Sequence, residues 1–299
     1  MSGPVPRDRF GLGWRPELAV GVLSNLESID LLEVIADDYF GVSRRRLDSL
    51  RLLRAQVPVV LHAVGMGLAS TAAVDSRRLD RLARVAEAVD LDYWSEHLAF
   101  VRGGGVEIGH LAAPPRNRRT IEGTARNLAT ARRVVGSPPR MENIATLIDP
   151  PGSECDEPAW LTGTLEACQC DLLLDLHNVY ANASNFGSDP QDFIRRLPAG
   201  RITTIHIAGG RWIPPESGWN CRPRLLDDHQ HDVPPPVYQL LEQVAAVVPR
   251  PFDVILERDG QYPPMGELLA QLSAARAAVA AGRLRNPAFA FDRAAREVA

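Results

Sequence analysis

Residues Asp171–Asn178 read DLLLDLHN, an apolar run that ends abruptly in Asp175, His177 and Asn178. Such a run is long enough for a buried strand and too short for a helix. The same design recurs along the chain. VVLHA ends in His62, YWSEHLAF carries Glu96 and His97, and RMENIA carries Glu142 and Asn143. ITTIHIAG carries His206, DVILERDG carries Glu257, and LLEVIADDYF runs into Asp37 and Asp38. With FGLGW near the start, the strand candidates number about eight.

Stretches with helical spacing lie between them. RRLDRLARVAEAVD places Leu79, Leu82, Val85, Ala86 and Val89 on one stripe, and TIEGTARNLATARRVVG, PPPVYQLLEQVAAVV and MGELLAQLSAARAAVAA repeat the pattern. Strands alternating with helices predict a parallel sheet, and about eight such units close into a barrel. An open doubly wound sheet usually needs a glycine-rich first turn, which RPELAV does not supply. The sequence therefore reads as α/β: a TIM-type (β/α)8 barrel, xylose-isomerase-like, forming a single domain over residues 1–299. The connection over residues 209–236 is far longer than usual and is expected to lie over the C-terminal rim. It contains Trp212, Trp219, Cys221 and LLDDHQHDV, as befits a lid or binding loop.

Composition narrows the chemistry. The chain has 33 basic and 37 acidic residues, a net charge of −4, and every basic residue is arginine. Without lysine there is no Schiff-base lysine for pyridoxal phosphate and no P-loop lysine. The slight negative balance argues against a broad nucleic-acid surface. No secretory signal pattern opens the chain, and no apolar run approaches the roughly 20 residues of a membrane span. Cys155, Cys168, Cys170 and Cys221 fit neither a disulfide scaffold nor a zinc motif. The expectation is a soluble, cytoplasmic protein with no nucleic-acid or membrane partner. PPRNRRT, with Arg116, Arg118 and Arg119, reads as a solvated face, with a grip on an acidic ligand as the alternative.

Barrel enzymes gather their chemistry at the C-terminal ends of the strands. His62, His97 and His206 would there meet Glu142, Asp175 and Glu257, and metal coordination offsets the cost of burying such a group. Side chains alternate along a strand, so Asp175 and His177 are expected to share a face. By the same rule Glu96 and His97 cannot both point inward. His97 is taken as the ligand, with Glu96 behind it. The long connection adds Asp227, His229 and His231 in D-x-H-x-H spacing. Mixed imidazole and carboxylate donors suit iron, manganese or zinc, and so many candidates ask for more than one ion.

Taken in order, the blocks GLGWR, EVIA before YF, LHAVGMGLAS, SEHLAF, MEN, LLLDLHNVYANASNFG, IHIAGG, DDHQHDV with PVY, and LERDG span almost the whole chain. In this pattern it resembles the multinuclear non-heme iron-dependent oxidases of peptide natural-product biosynthesis, the MbnB/TglH type. The resemblance implies a barrel holding two or three iron ions. It implies ligands from His62, His97, Glu142, Asn143, Asp175, His206, Asp227, His229 and Glu257. Asp37, Glu96, His177, Asn178 and His231 would support them or face the substrate. Relatives oxidise cysteine residues of a ribosomally made precursor peptide with dioxygen as co-substrate, usually with a small partner protein presenting the peptide. This chain departs from them at Asp37–Asp38, where Glu–Asn is common, at His177, often asparagine, and at Gly210, where many carry a histidine. The competing readings are a metal-dependent hydrolase or isomerase, endonuclease-like or sugar-isomerase-like, and a non-catalytic peptide-binding barrel. A sugar isomerase of the familiar kind would use a lysine, which this chain lacks.

Overall fold

The computed structural model describes residues 7–215 and 222–289. Trp219, Cys221 and the last ten residues of the C-terminal tail lie outside them. The eight predicted strand segments form β1 (Arg9–Gly13), β2 (Leu31–Ile35), β3 (Val59–Ala63), β4 (Trp94–His97), β5 (Arg140–Glu142), β6 (Leu172–Asp175), β7 (Ile202–Ile207) and β8 (Asp253–Leu256). All pair in parallel and in chain order, and β8 returns to β1 to close the barrel. Closure leaves no free edge in this sheet, and the helices cover its outside. The Ser76–Val89 helix buries the predicted stripe Leu79, Leu82, Val85, Ala86 and Val89 against the barrel. No helix among the described residues is long and apolar enough to cross a membrane.

Alternation along each strand gives the barrel a layered interior. Leu31, Val60, Tyr93 and Ile255 form an apolar layer inside it. Beneath them Asp253 accepts hydrogen bonds from Arg9 Nε (2.7 Å) and Nη2 (2.8 Å), while Arg140 reaches Asp253 at 3.4 Å and lies over the Tyr93 ring. This ionic and aromatic plug fills the N-terminal end. The first strand makes room for the layer above with glycine. A Cβ on Gly11 would lie 2.3 Å from the Leu31 carbonyl oxygen and 2.7 Å from Leu31 Cγ.

Two of the sequence segments that interrupt the strand–helix rhythm are hairpins, not irregular loops. Phe100–Gly103 pairs with Val106–Ala112, and Gly209–Ile213 pairs with Arg224–His231. Both rise from the C-terminal rim, after β4 and β7. Asp37 sits in a 3-10 turn, Ala36–Tyr39, which begins where β2 ends.

Gly11→Ala should therefore lower stability by about 1–3 kcal/mol through overpacking against β2. The urea midpoint would fall with little change in slope; a midpoint equal to wild type would show that β1 and β2 can separate freely.

Candidate metal centre

Strand ends bring the candidate ligands together at the rim. His62, His97 and Glu142 form one group, and Glu142, Asp175, His206 and Glu257 form another; donor atoms within each group lie within 4.8 Å of one another. Glu142 belongs to both. Its Oε2 is 3.4 Å from His62 Nε2 and 3.5 Å from His97 Nε2, and its Oε1 is 3.4 Å from His206 Nδ1. His206 Nδ1 also lies 3.1 Å from Glu257 Oε2.

The outward atoms of these side chains are fixed. Ser95 Oγ donates to the Leu61 carbonyl and accepts from His62 Nδ1 (2.8 Å), which leaves His62 Nε2 with a lone pair toward Glu142. Asp175 ends β6 and also caps the Leu176–Phe186 helix, its Oδ1 accepting the Asn178 N–H at 2.6 Å. The other oxygen, Oδ2, has no partner. Glu142 Oε2, His206 Nδ1 and Glu257 Oε2 are likewise buried without a hydrogen-bond partner. Carboxylate and imidazole atoms that converge at 3.1–3.5 Å without a completed hydrogen bond form an arrangement that a cation completes. The donor set and its unpaired atoms therefore fit metal ions.

The electrostatics agree. Burial, reinforced by Asp227, Glu142 and Glu257, raises Asp175 well above the usual carboxylate range. Burial and the neighbouring His97 and His206 hold His62 well below the usual imidazole range. His97 is pulled down by burial but pushed up further by the Glu142 and Glu96 carboxylates, to about 9. Burial takes Glu96 up to about 7. It lies behind His97, its oxygens accepting the main-chain N–H groups of His97 (2.9 Å) and Met66 (3.1 Å).

Asp227 and His229 approach from the second hairpin. His229 Nε2 contacts Asp227 at 2.9 Å, and His229 Nδ1 lies 3.7 Å from Glu257 Oε2 and 3.1 Å from Asp259 Oδ2. His229 has a left-handed φ of 53°. Asp259 secures it twice, since its N–H also donates to the His229 carbonyl at 2.8 Å, and Arg15 Nε holds the Asp259 carboxylate at 2.9 Å.

Other expected residues take different places. Asn143 donates to the Asp175 carbonyl (3.0 Å) and accepts the Asp175 N–H (2.9 Å), so both ends of its amide bind main chain and it braces β5 against β6. Asp37 accepts the Val64 N–H at 2.9 Å and stitches two rim loops together. His231 is half exposed and pairs with Asp228. The expected shared strand face of Asp175 and His177 is not formed, because the strand stops at Asp175 and His177 lies in the first helical turn. There His177 donates Nδ1–H to Asp227 at 2.8 Å. A Cβ on Gly210 would lie 2.6 Å from the His177 ring, so the two residues meet at one point. Arg116 is enclosed by Asp149 and Glu157, whereas Arg118 pairs with Glu122 on an exposed helix face.

Sequence reasoning missed Glu33. This buried carboxylate accepts from His206 Nε2 at 3.0 Å, so His206 turns Nδ1 toward Glu142 and Glu257. The signal in the sequence is a lone acid in the middle of the apolar strand LLEVI.

Above the cluster opens a groove of about 670 Å³. His97, Glu142, Asp227 and His229 line its inner end. Its walls, Leu111–Ala113, Ile144–Ile148 and Leu225–Leu226, are mostly apolar. Asn178 lies beside it with a buried, unpartnered Oδ1. Cys155, Cys168 and Cys170 are free thiols, and none lines the groove.

The sequence model of the family described as "RiPP precursor modification enzyme MbnB/TglH/ChrH" matches residues 9–280. The chain belongs to this family. A UPF0276 protein of Streptomyces avermitilis is 38% identical over 275 residues, which cover 89% of this chain but only 54% of that relative's length. Another UPF0276 protein, from Rhizorhabdus wittichii, is 34% identical, covering 92% of this chain and 96% of its own. In structure the chain is similar to L-ribulose 3-epimerase, with 15% identity, 97% coverage of both chains and a TM-score of 0.54. A xylose isomerase domain protein from Planctomyces limnophilus also matches, with 15% identity, 92% and 99% coverage, and a TM-score of 0.57. At such identities these neighbours establish the xylose-isomerase-like barrel alone.

Ferrous ion at a hundredfold excess over its Kd should stabilise the metal-free protein by roughly 2.7 kcal/mol, seen as a rise in Tm. His206→Ala should remain folded and lose most of that rise. An equal rise in the variant would remove His206 from the centre.

Proposed function

We propose that the protein is a multinuclear non-heme iron-dependent oxidase that modifies cysteine residues of a ribosomally made precursor peptide with dioxygen. The observation that carries this reading is the set of unpaired imidazole and carboxylate atoms at the inner end of a groove with apolar walls. Oxygen and nitrogen donors without thiolate suit iron, manganese or zinc, and membership of a peptide-modifying family favours iron. Glu142, with one oxygen toward each donor group, would serve both sets of ligands, and Asp227 and His229 would add further donors. Iron, when bound, supplies the redox change that cysteine oxidation requires.

The protein's share is positioning. Ser95 and Glu33 turn His62 and His206 so that one nitrogen of each faces the centre. The apolar walls exclude water and receive a peptide better than a sugar, whose hydroxyls would find few partners there. A small partner protein that presents the peptide completes the proposal.

Protein purified without oxygen should contain two or three iron ions per chain and consume dioxygen only when a cysteine-containing precursor peptide is added. Zinc alone, with no activity after reconstitution with ferrous iron, would favour a hydrolase. Iron without peptide-dependent oxygen uptake would favour a binding barrel.

A further inference from the structure

The helix that starts at Asp175 carries asparagine at 178, 182 and 185. Spacing of i, i+4 and i+7 puts all three on one stripe, the position an amphipathic helix normally gives to apolar residues. Here each amide instead binds the main chain of a rim loop. Asn178 Nδ2 donates to the Asn143 carbonyl at 3.0 Å. Asn182 Nδ2 donates to the Ile144 carbonyl at 2.9 Å, and its Oδ1 accepts the Thr146 N–H at 2.9 Å. Asn185 Nδ2 donates to the Leu225 carbonyl at 3.0 Å, and its Oδ1 accepts the Leu225 N–H at 2.7 Å. His177, on the adjoining face, holds Asp227.

These partners lie on two of the groove's three walls, the third being Leu111–Ala113. Ile144–Ile148 follows β5, and Leu225–His229 belongs to the hairpin after β7. The helix follows β6, which lies between those strands in the barrel. A wall held by one two-point amide grip on each side cannot drift in register, because Nδ2 needs a carbonyl and Oδ1 needs an N–H. We infer that Asn182 and Asn185 are positioning residues that fix the separation of these two walls, one residue on each, and so set where a peptide lies over the centre. This rests on the groove being the seat of the peptide.

Asn182→Asp and Asn185→Asp test the idea at constant shape, since a carboxylate keeps the acceptor, loses the donor and repels the facing carbonyl, and at 182 also the Glu157 carboxylate 3.4 Å away. Hydrogen exchange on the full-length, iron-loaded protein needs no substrate. Asn185→Asp should speed exchange about tenfold over Leu225–His229 and leave Ile144–Thr146 unchanged, and Asn182→Asp should do the reverse. Asn182→Asp should keep the wild-type iron content. Asn185→Asp should lower iron content, since Leu225 leads to Asp227 and His229. Unchanged exchange in both walls, or equal loosening of the whole barrel, would overturn the inference. If one wall loosens as expected but KM for a cysteine peptide turned over by wild type does not move, the frame stands and the groove as peptide seat fails.

Discussion

Buried negative charge is the constraint around which this molecule is organised. Glu33, Glu142, Asp175 and Glu257 are brought within reach of two or three imidazoles where water has been excluded. Isolated ionised carboxylates in such a setting cost several kcal/mol each, which a domain of marginal net stability does not tolerate without positive charge. Barrel closure creates the problem and also frames its solution. The parallel register sets His97 beside Glu142 and Asp175 beside His206, so residues far apart in sequence become lateral neighbours on one rim. Apolar residues and the Arg9–Asp253–Arg140 plug below carry the packing, and the charged layer above is left for chemistry.

Most of the fold was legible because each strand repeats one pattern, apolar then polar. The physical rules that failed are local. Parity placed His177 wrongly because Asp175 is a good helix cap: its side chain takes the Asn178 N–H and ends the strand two residues early. Asn143 also binds the Asp175 main chain at both ends of its amide, a bracing contact that position in the sequence does not reveal. Asp37 lies beyond the strand, in a tight turn that aims it at the Val64 amide. Glu33 was hidden by its apolar neighbours. Only coordinates show that an acid inside LLEVI faces an imidazole 173 residues away. The hairpins were unreadable for a different reason. VRGGGVEIGH and the segment after His206 carry glycines and polar residues in loop-like proportions, and only pairing turns them into strands.

Family membership and fold likeness speak to different levels. The epimerase and isomerase-like neighbours share the cylinder at low identity, whereas the family match covers nearly every rim residue considered above. At one point of the rim two residues share a single space: the ring of His177 lies against Gly210, where no side chain can begin. A change at either position therefore has to be read with the other, since the two share a volume.

The stoppered lower end of the cylinder has a consequence for traffic. Among the described residues, Tyr93, Arg140 and Asp253 fill the lower axis, and the groove at the rim is a doorway onto the charged layer. A chain-like guest lying across that doorway obstructs whatever follows it. A small reactant must then slip in ahead of the guest or beside it, and the order of arrival becomes a property of the architecture.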